Sequence, residues 1–366
     1  MYKIVFVLMA ALLFTFCGGD EGGIAPPPAK PDNPLPTYGG LTESFGTNLS
    51  GAEFTMVYPG IDGTHYGYPT EKCLDYFKSK GLKLIRFPFR WERIQYTMNG
   101  SLVQTEIAKM KRFVKAAEER GMPVILDMHN FARYSFDGGA TRTRIGDTGL
   151  TTENLCDVWM KLALEFKQFS NIWGYDIMNE PYDMATPNQW KEIAQAVIYK
   201  IRSVDTKTPI IISGDRYSSA YHWPQFSDNL KDLIDPSDKL IYQAHVYFDN
   251  DHSGTYKKSF AEEKANDLTG VQRVKPFVEW LIKNNKVGFI GEYGVPSDEP
   301  GYLPVLENML KYLSENGVPG TYWSAGPRWT ESDPHTMSAQ PTENYTKDKP
   351  QMKVLEKYTR TYQDKK

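Results

Sequence analysis

With 366 residues, 40% of them apolar and 24% charged, the chain has the balance of an ordinary globular protein and the length to bury a large core, which excludes disorder throughout. A formal charge of −3 and the lack of a long basic run leave counterion release without a source, so no nucleic-acid partner is expected and a neutral or weakly polar ligand fits better. Aromatic residues reach 13%, with 23 Tyr and 8 Trp; such rings stack on the apolar faces of sugars as well as filling cores, and composition does not separate the two uses.

Residues 1–17 read as a targeting signal: Lys3 supplies a positive start, and Ile4 to Phe16 form an uncharged apolar run that suits a secretory signal and is short for a membrane span. The run ends at Cys17, and Cys17-Gly18-Gly19-Asp20-Glu21 resembles the lipid-attachment site of a bacterial lipoprotein. That resemblance implies export and a lipid on Cys17, at the outer membrane or cell surface of a Gram-negative bacterium. The other reading is a plain signal peptide cleaved later, which gives a secreted protein. Residues 18–37 carry Gly22-Gly23, Pro26-Pro27-Pro28, Pro31, Pro34 and Pro36, the composition of a semi-extended tether. From Tyr38 to residue 366 no further linker or repeat interrupts the pattern, so one catalytic domain is expected, acting as a monomer and meeting the membrane only through its lipid.

Within that domain short apolar runs alternate with longer amphipathic ones. Strands are expected around Phe45–Leu49, Leu82–Phe87, Val124–Met128, Ile172–Met178, Pro209–Ser213, Leu240–Val246, Gly288–Ile290 and Gly320–Trp323. Between them lie helical patterns such as Glu106 to Arg120, where Ile107, Met110, Phe113, Val114 and Ala117 recur every three or four residues. Thr186-Pro187-Asn188-Gln189 reads as a helix start with Thr186 as the cap, and Gly81 and Gly121 as helix stops. Eight strand-then-helix units predict an α/β fold, a closed (β/α)8 TIM barrel; an open doubly wound sheet is disfavoured because no Gly-x-Gly-x-x-Gly turn follows the first strand. Cys73 and Cys156 fall in helical patterns two helices apart, so both are expected buried and reduced.

Functional groups of such a barrel lie at the C-terminal ends of its strands. Strand two ends Arg86-Phe87-Pro88, strand three Asp127-Met128-His129-Asn130 and strand four Asn179-Glu180-Pro181. Strand six ends His245-Val246-Tyr247, strand seven Glu292-Tyr293-Gly294 and strand eight Tyr322-Trp323. Taken singly, a Glu after a strand is usually a solvated loop residue, a His a satisfied buried ring and a Trp core; six such groups at one rim are not a chance distribution. Cleaving an acetal between sugars requires a proton donor and a second carboxylate facing an oxocarbenium-like centre, and Glu180 and Glu292 stand on strands that face each other across the barrel mouth. Unequal surroundings would divide their roles, with Arg86 the nearest cation. Asp249-Asn250-Asp251 lacks the later Glu of a calcium-binding hand and reads as a turn, so neither metal nor other cofactor is expected.

The set Asn179-Glu180-Pro181, Arg86, His129, His245-x-Tyr247, Glu292 and Trp323 resembles glycoside hydrolase family 5, the cellulase-like barrel, from about Tyr38 onward. Membership implies Glu180 as acid/base, Glu292 as nucleophile, Asn179 on the sugar 2-hydroxyl, Arg86 and Tyr247 beside the nucleophile, His129 and His245 along the cleaved subsites, and Trp323 beneath the sugar before the cut. Gly46-Thr47-Asn48-Leu49-Ser50-Gly51-Ala52-Glu53-Phe54, His129-Asn130-Phe131-Ala132-Arg133-Tyr134, Tyr247 to Thr255 and Trp323-Ser324-Ala325-Gly326-Pro327 are similar to its endo-β-1,4-glucanase branch. There an aromatic after strand five stacks on sugar, and Tyr217 stands at that place where Trp is usual; Arg328-Trp329 beside Trp323 are a further departure. The resemblance implies a retaining enzyme acting inside cellulose or mixed-linkage β-glucan. A β-mannanase or xyloglucanase on the same scaffold, or a surface lipoprotein that binds polysaccharide without cutting it, are the competing readings; the second requires the rings and not the acids.

Overall fold

In the computed structural model residues 45–329 and 337–359 are described; the expected signal segment, Cys17 and the expected tether lie outside them. Eight parallel strands close into a barrel: β1 (Phe45–Leu49), β2 (Leu84–Phe89), β3 (Val124–Met128), β4 (Ile172–Asp176), β5 (Ile210–Ser213), β6 (Leu240–His245), β7 (Gly288–Glu292) and β8 (Gly320–Ala325), each beside the next and β8 beside β1. Strands buried on both faces require near-continuous apolar runs, and Val124-Ile125-Leu126 and Ile210-Ile211-Ile212 supply them. A helical segment follows each strand, from Glu71–Ser79 and Gln104–Glu119 after β1 and β2 to Met352–Leu355 after β8; after β5 it shrinks to the single turn Trp223–Phe226.

The outer core lies between strands and helices, where Trp159, Phe166, Val197, Ile201, Phe277 and Leu310 are fully buried. A separate apolar plug of Leu84, Ile125, Ile211, Ile241, Val287 and Phe289 fills the lower barrel interior. Burial of each such side chain contributes roughly 1.5–3 kcal/mol. Helix ends follow local rules: Thr151 and Asn154 cap one helix reciprocally, and Gly81 and Gly121 take positive φ (80° and 65°) just after two others. Cys73 and Cys156 are buried free thiols.

Several expectations shift: strands seven and eight each run two residues further, to Glu292 and Ala325. Strand two continues through Pro88 to Phe89. Ile85 N–H bonds toward β3, so alternation directs the missing N–H of Pro88 toward β1, whose pairing ends at Asn48 and Arg86. Strand four ends at Asp176, two residues early, because Asn179 N–H turns to Met128 O. Thr186 is not a helix cap. That helix spans Gln189–Arg202 behind Asn188, and the Gln189 amide reaches past Thr186 to accept from Ala185 N–H (2.6 Å).

Candidate active site

Arg86 lies below the rim, inside the barrel and fully buried, and its five N–H bonds organise the site. Nε donates to Asp176 (3.0 Å). One terminal nitrogen serves Asn48 (2.9 Å) and Glu292 (2.8 Å); the other serves Asn179 (2.7 Å) and Asp127 (3.0 Å). Burial opposes the guanidinium charge, yet Asp127, Asp176 and Glu292 together hold its pKa above the ordinary value. Burial also pushes Asp127 and Asp176 up to about 6, against the pull of Arg86.

Glu292 ends β7 and is almost fully buried. One oxygen accepts from Arg86, the other from the Tyr247 hydroxyl (2.7 Å). Burial, then the charges of Glu292 and Glu180, raises the Tyr247 phenol far above its usual pKa, so it remains a donor. Glu180 has different company. Its Oε1 lies 2.6 Å from His245 Nδ1, and burial pushes its pKa up to about 8, only partly countered by Arg86. The imidazole of His245 is driven down to about 4, chiefly by burial, and stays neutral. An oxygen of Glu180 and one of Glu292 lie within 4.8 Å of each other, with His245 Nδ1 inside the same span. Retaining pairs stand roughly 5–5.5 Å apart and inverting pairs roughly 6.5–9.5 Å, so the spacing is that of double displacement.

Glu180 adopts φ 45°, uncommon for a residue with a side chain, and it is fixed there by its neighbour: Asn179 donates its N–H to Met128 O and accepts Phe131 N–H on its own carbonyl. The Asn179 amide oxygen takes Arg86 and its nitrogen faces His129 Nε2 (3.3 Å). His129 Nδ1 meets Asp127 (2.8 Å), and burial depresses its pKa well below the usual value; a neutral ring with the proton on Nδ1 satisfies both contacts. Trp323 is half-buried with one face on His129 (5.1 Å, 15° between planes).

Beside Glu180 a cleft of about 590 Å³ opens between Glu180, Tyr217, Tyr221, His222, His245 and Tyr247. Tyr217 is 50% exposed and stacks on Tyr182 (4.5 Å, 13°), which in turn carries the Arg133 guanidinium on its ring (3.5 Å). Arg328 turns away to carbonyls of residues 63 and 64, and Trp329 packs edge-on against Phe54 (5.6 Å). Asp249 forms a turn, its carboxylate accepting N–H groups of Gly254, Thr255 and Tyr256.

The structure thus gathers the nine catalytic and substrate-binding candidates of the sequence at one end of the barrel, and adds Asn48, Asp127, Asp176, Gln243 and Tyr182. Gln243 links the Asp176 carboxylate (2.9 Å) to the Ser213 hydroxyl (2.7 Å). A signal for two of these, Asp127 and Gln243, was present. Residues two apart on a strand share a face, and Leu84-x-Arg86, Ile125-x-Asp127, Ile211-x-Ser213 and Ile241-x-Gln243 each set a polar group directly above the plug.

A family model for cellulase (glycosyl hydrolase family 5) matches residues 42–328. Endo-β-1,4-glucanase B of Aspergillus niger is 33% identical over 291 residues, 78% of this chain and 82% of its own. Among solved structures, Pseudomonas stutzeri endoglucanase Cel5A in complex with cellobiose is 42% identical with a TM-score of 0.80, covering 89% of this chain and 94% of its own. XacCel5A in complex with cellopentaose is 36% identical with a TM-score of 0.78, covering 86% and 98%. The barrel, its paired carboxylates and these likenesses agree, and the chain belongs to glycoside hydrolase family 5.

Proposed function

We propose that this protein is a retaining endo-β-1,4-glucanase in which Glu292 is the nucleophile and Glu180 the acid/base. One observation carries the division of roles: Arg86 and Tyr247 both donate to Glu292, whereas burial keeps Glu180 protonated up to about pH 8 within 4.8 Å of it. Glu292 attacks the anomeric carbon of a glucosyl unit seated over Trp323 while Glu180 gives its proton to the leaving oxygen. Loss of that proton lets Glu180 activate water against the glycosyl-enzyme ester, and Glu292 departs as a carboxylate. Asn179, held by Arg86, offers its amide to the 2-hydroxyl. His129 and His245 line the bond being cut, and Tyr217 stacks on a sugar of the departing chain.

A β-1,4-glucan substrate is supported by the family, by the glucanase relatives, and by neighbours solved with cellobiose and cellopentaose. Purified protein should release reducing ends from carboxymethylcellulose and mixed-linkage β-glucan, and cello-oligosaccharides should first yield the β-anomer. Turnover of mannan alone, or an α-anomer first, would overturn the assignment. We further propose export and lipidation at Cys17, on the signal-like run before it and the Pro-rich tether after it. Mass spectrometry of the mature N-terminus tests this, and an unacylated first residue later than Cys17 would refute it.

A further inference from the structure

We propose that Tyr256 is a positioning residue that holds the Tyr247 hydroxyl on Glu292; the inference rests on Glu292 being the nucleophile. Val246 N–H donates to the Glu292 carbonyl (2.9 Å) as the last bond of the β6–β7 ladder, so Tyr247 and the residues after it lie one step beyond that ladder, whereas Glu292 is the last residue of β7. A bond of 2.7 Å between them requires that the two segments keep their separation. One buried phenol spans them. The Tyr256 hydroxyl accepts the N–H of Phe248, next to Tyr247, at 3.0 Å, and donates to the carbonyl of Gly294, two residues beyond Glu292, at 2.6 Å. Donor and nucleophile are therefore referenced to the same oxygen atom.

The chain between Tyr247 and Tyr256 is folded so as to deliver that phenol. Asp249, 1% exposed, gathers the N–H groups of Gly254, Thr255 and Tyr256 and the Ser253 hydroxyl on its carboxylate. Arg273 ties the carbonyls of Tyr247 and Asp249 from outside. The turn brings Gly254 (φ 72°) onto the face of the Tyr247 ring, where an added Cβ would stand 2.8 Å from ring carbons. The ring is thereby confined from above by a residue that tolerates no side chain and at its root by the phenol of Tyr256. Neither group touches the reacting atoms; both act through the placement of the Tyr247 hydroxyl relative to Glu292. Pre-set geometry of this kind is worth rate and not affinity, because a misplacement of about 1 Å at a reacting centre costs on the order of a hundredfold.

The test is a pair of backgrounds read on two signals. Tyr256→Phe removes the bridging hydroxyl and keeps the ring; kcat should fall between about ten- and a hundredfold with KM within about twofold. The rate of covalent trapping by a 2-deoxy-2-fluoro cellobioside with an activated leaving group, which isolates attack by Glu292 from proton donation, should fall by the same factor. Placed in Tyr247→Phe protein, the substitution should add less than about twofold, since the group it positions is gone. Gly254→Ala, which pushes on the ring from the other side, should repeat this pattern and supports the proposal if Tyr256→Phe does not fold. Equal losses with and without the Tyr247 hydroxyl, or unchanged trapping, would overturn it. If the trapped sugar of the unmodified enzyme maps to a residue other than Glu292, it is the nucleophile assignment that falls.

Discussion

The lower and upper halves of the barrel interior rise from the same strands with opposite chemistry. Below, Leu84, Ile125, Ile211, Ile241, Val287 and Phe289 form an apolar plug. One pleat higher, Arg86, Asp127, Ser213 and Gln243 are as deeply buried and entirely polar. The plug stabilises through area removed from water and tolerates any well-packed apolar solution. The upper layer stabilises little by itself, because desolvating one guanidinium and several carboxylates offsets their attraction. What it provides is a fixed electrostatic environment: two neighbouring glutamates, one served by a cation and a phenol, the other by a neutral imidazole. Within one fold, burial of one layer makes stability and burial of the next makes reactivity.

The two layers separate most sharply at the nucleophile. Glu292→Gln should lower kcat by about 10⁴-fold or more with the thermal midpoint nearly unchanged, because an amide cannot form the ester; surviving turnover on unactivated glucan would remove Glu292 from that role. Glu180→Ala should cost about 10²–10⁴-fold on cello-oligosaccharides and far less on aryl cellobiosides, which depart without a proton. Equal losses on both would contradict the acid assignment. In the unmodified enzyme kcat/KM should decline about tenfold per unit above about pH 8, where Glu180 gives up its proton, and this limb should vanish with aryl substrates. The same raised pKa has a stability consequence. Between 4.5 and about 8 the folded chain retains a proton that the unfolded chain has released, so Glu180 makes the fold less stable as pH rises through that window. Glu180→Gln should flatten that part of the slope in denaturant titrations.

Next in size is the upper layer itself. Arg86→Met leaves Asp127 and Asp176 buried without their cation and should cost about 3–5 kcal/mol together with activity; a variant as stable as the parent would mean that the carboxylates find protons or water at no cost. The smallest functional effect belongs to the plug. Ile211→Ala should cost about 2–5 kcal/mol in denaturant melts while kcat/KM on cellopentaose stays within about twofold. A large kcat/KM loss at full folding would show that the plug also sets the geometry above it.

Much of this was legible in the chain. Apolar runs with helical patterns between them located all eight strands, and the polar residues at their ends marked Glu180, His245 and Glu292. Boundaries were less legible where tertiary contacts decide: Pro88 is tolerated in β2 only because β1 has already ended, and the Gln189 amide chose Ala185 over the expected cap. Arg86 was expected at the rim and lies inside, since its depth depends on which carboxylates await it.

By itself the sequence determined the alternation of elements, and with it the closed barrel and the inventory of groups at its mouth, because hydrophobic periodicity and strand-end chemistry are local. Which glutamate is the acid was implied by family resemblance alone, and only the tertiary structure supplies the physical cause. That cause is desolvation together with partners contributed by β2, β3 and β6, all distant from Glu180 and Glu292 in sequence, so the proton on Glu180 is a property of the closed barrel and not of any segment of the chain.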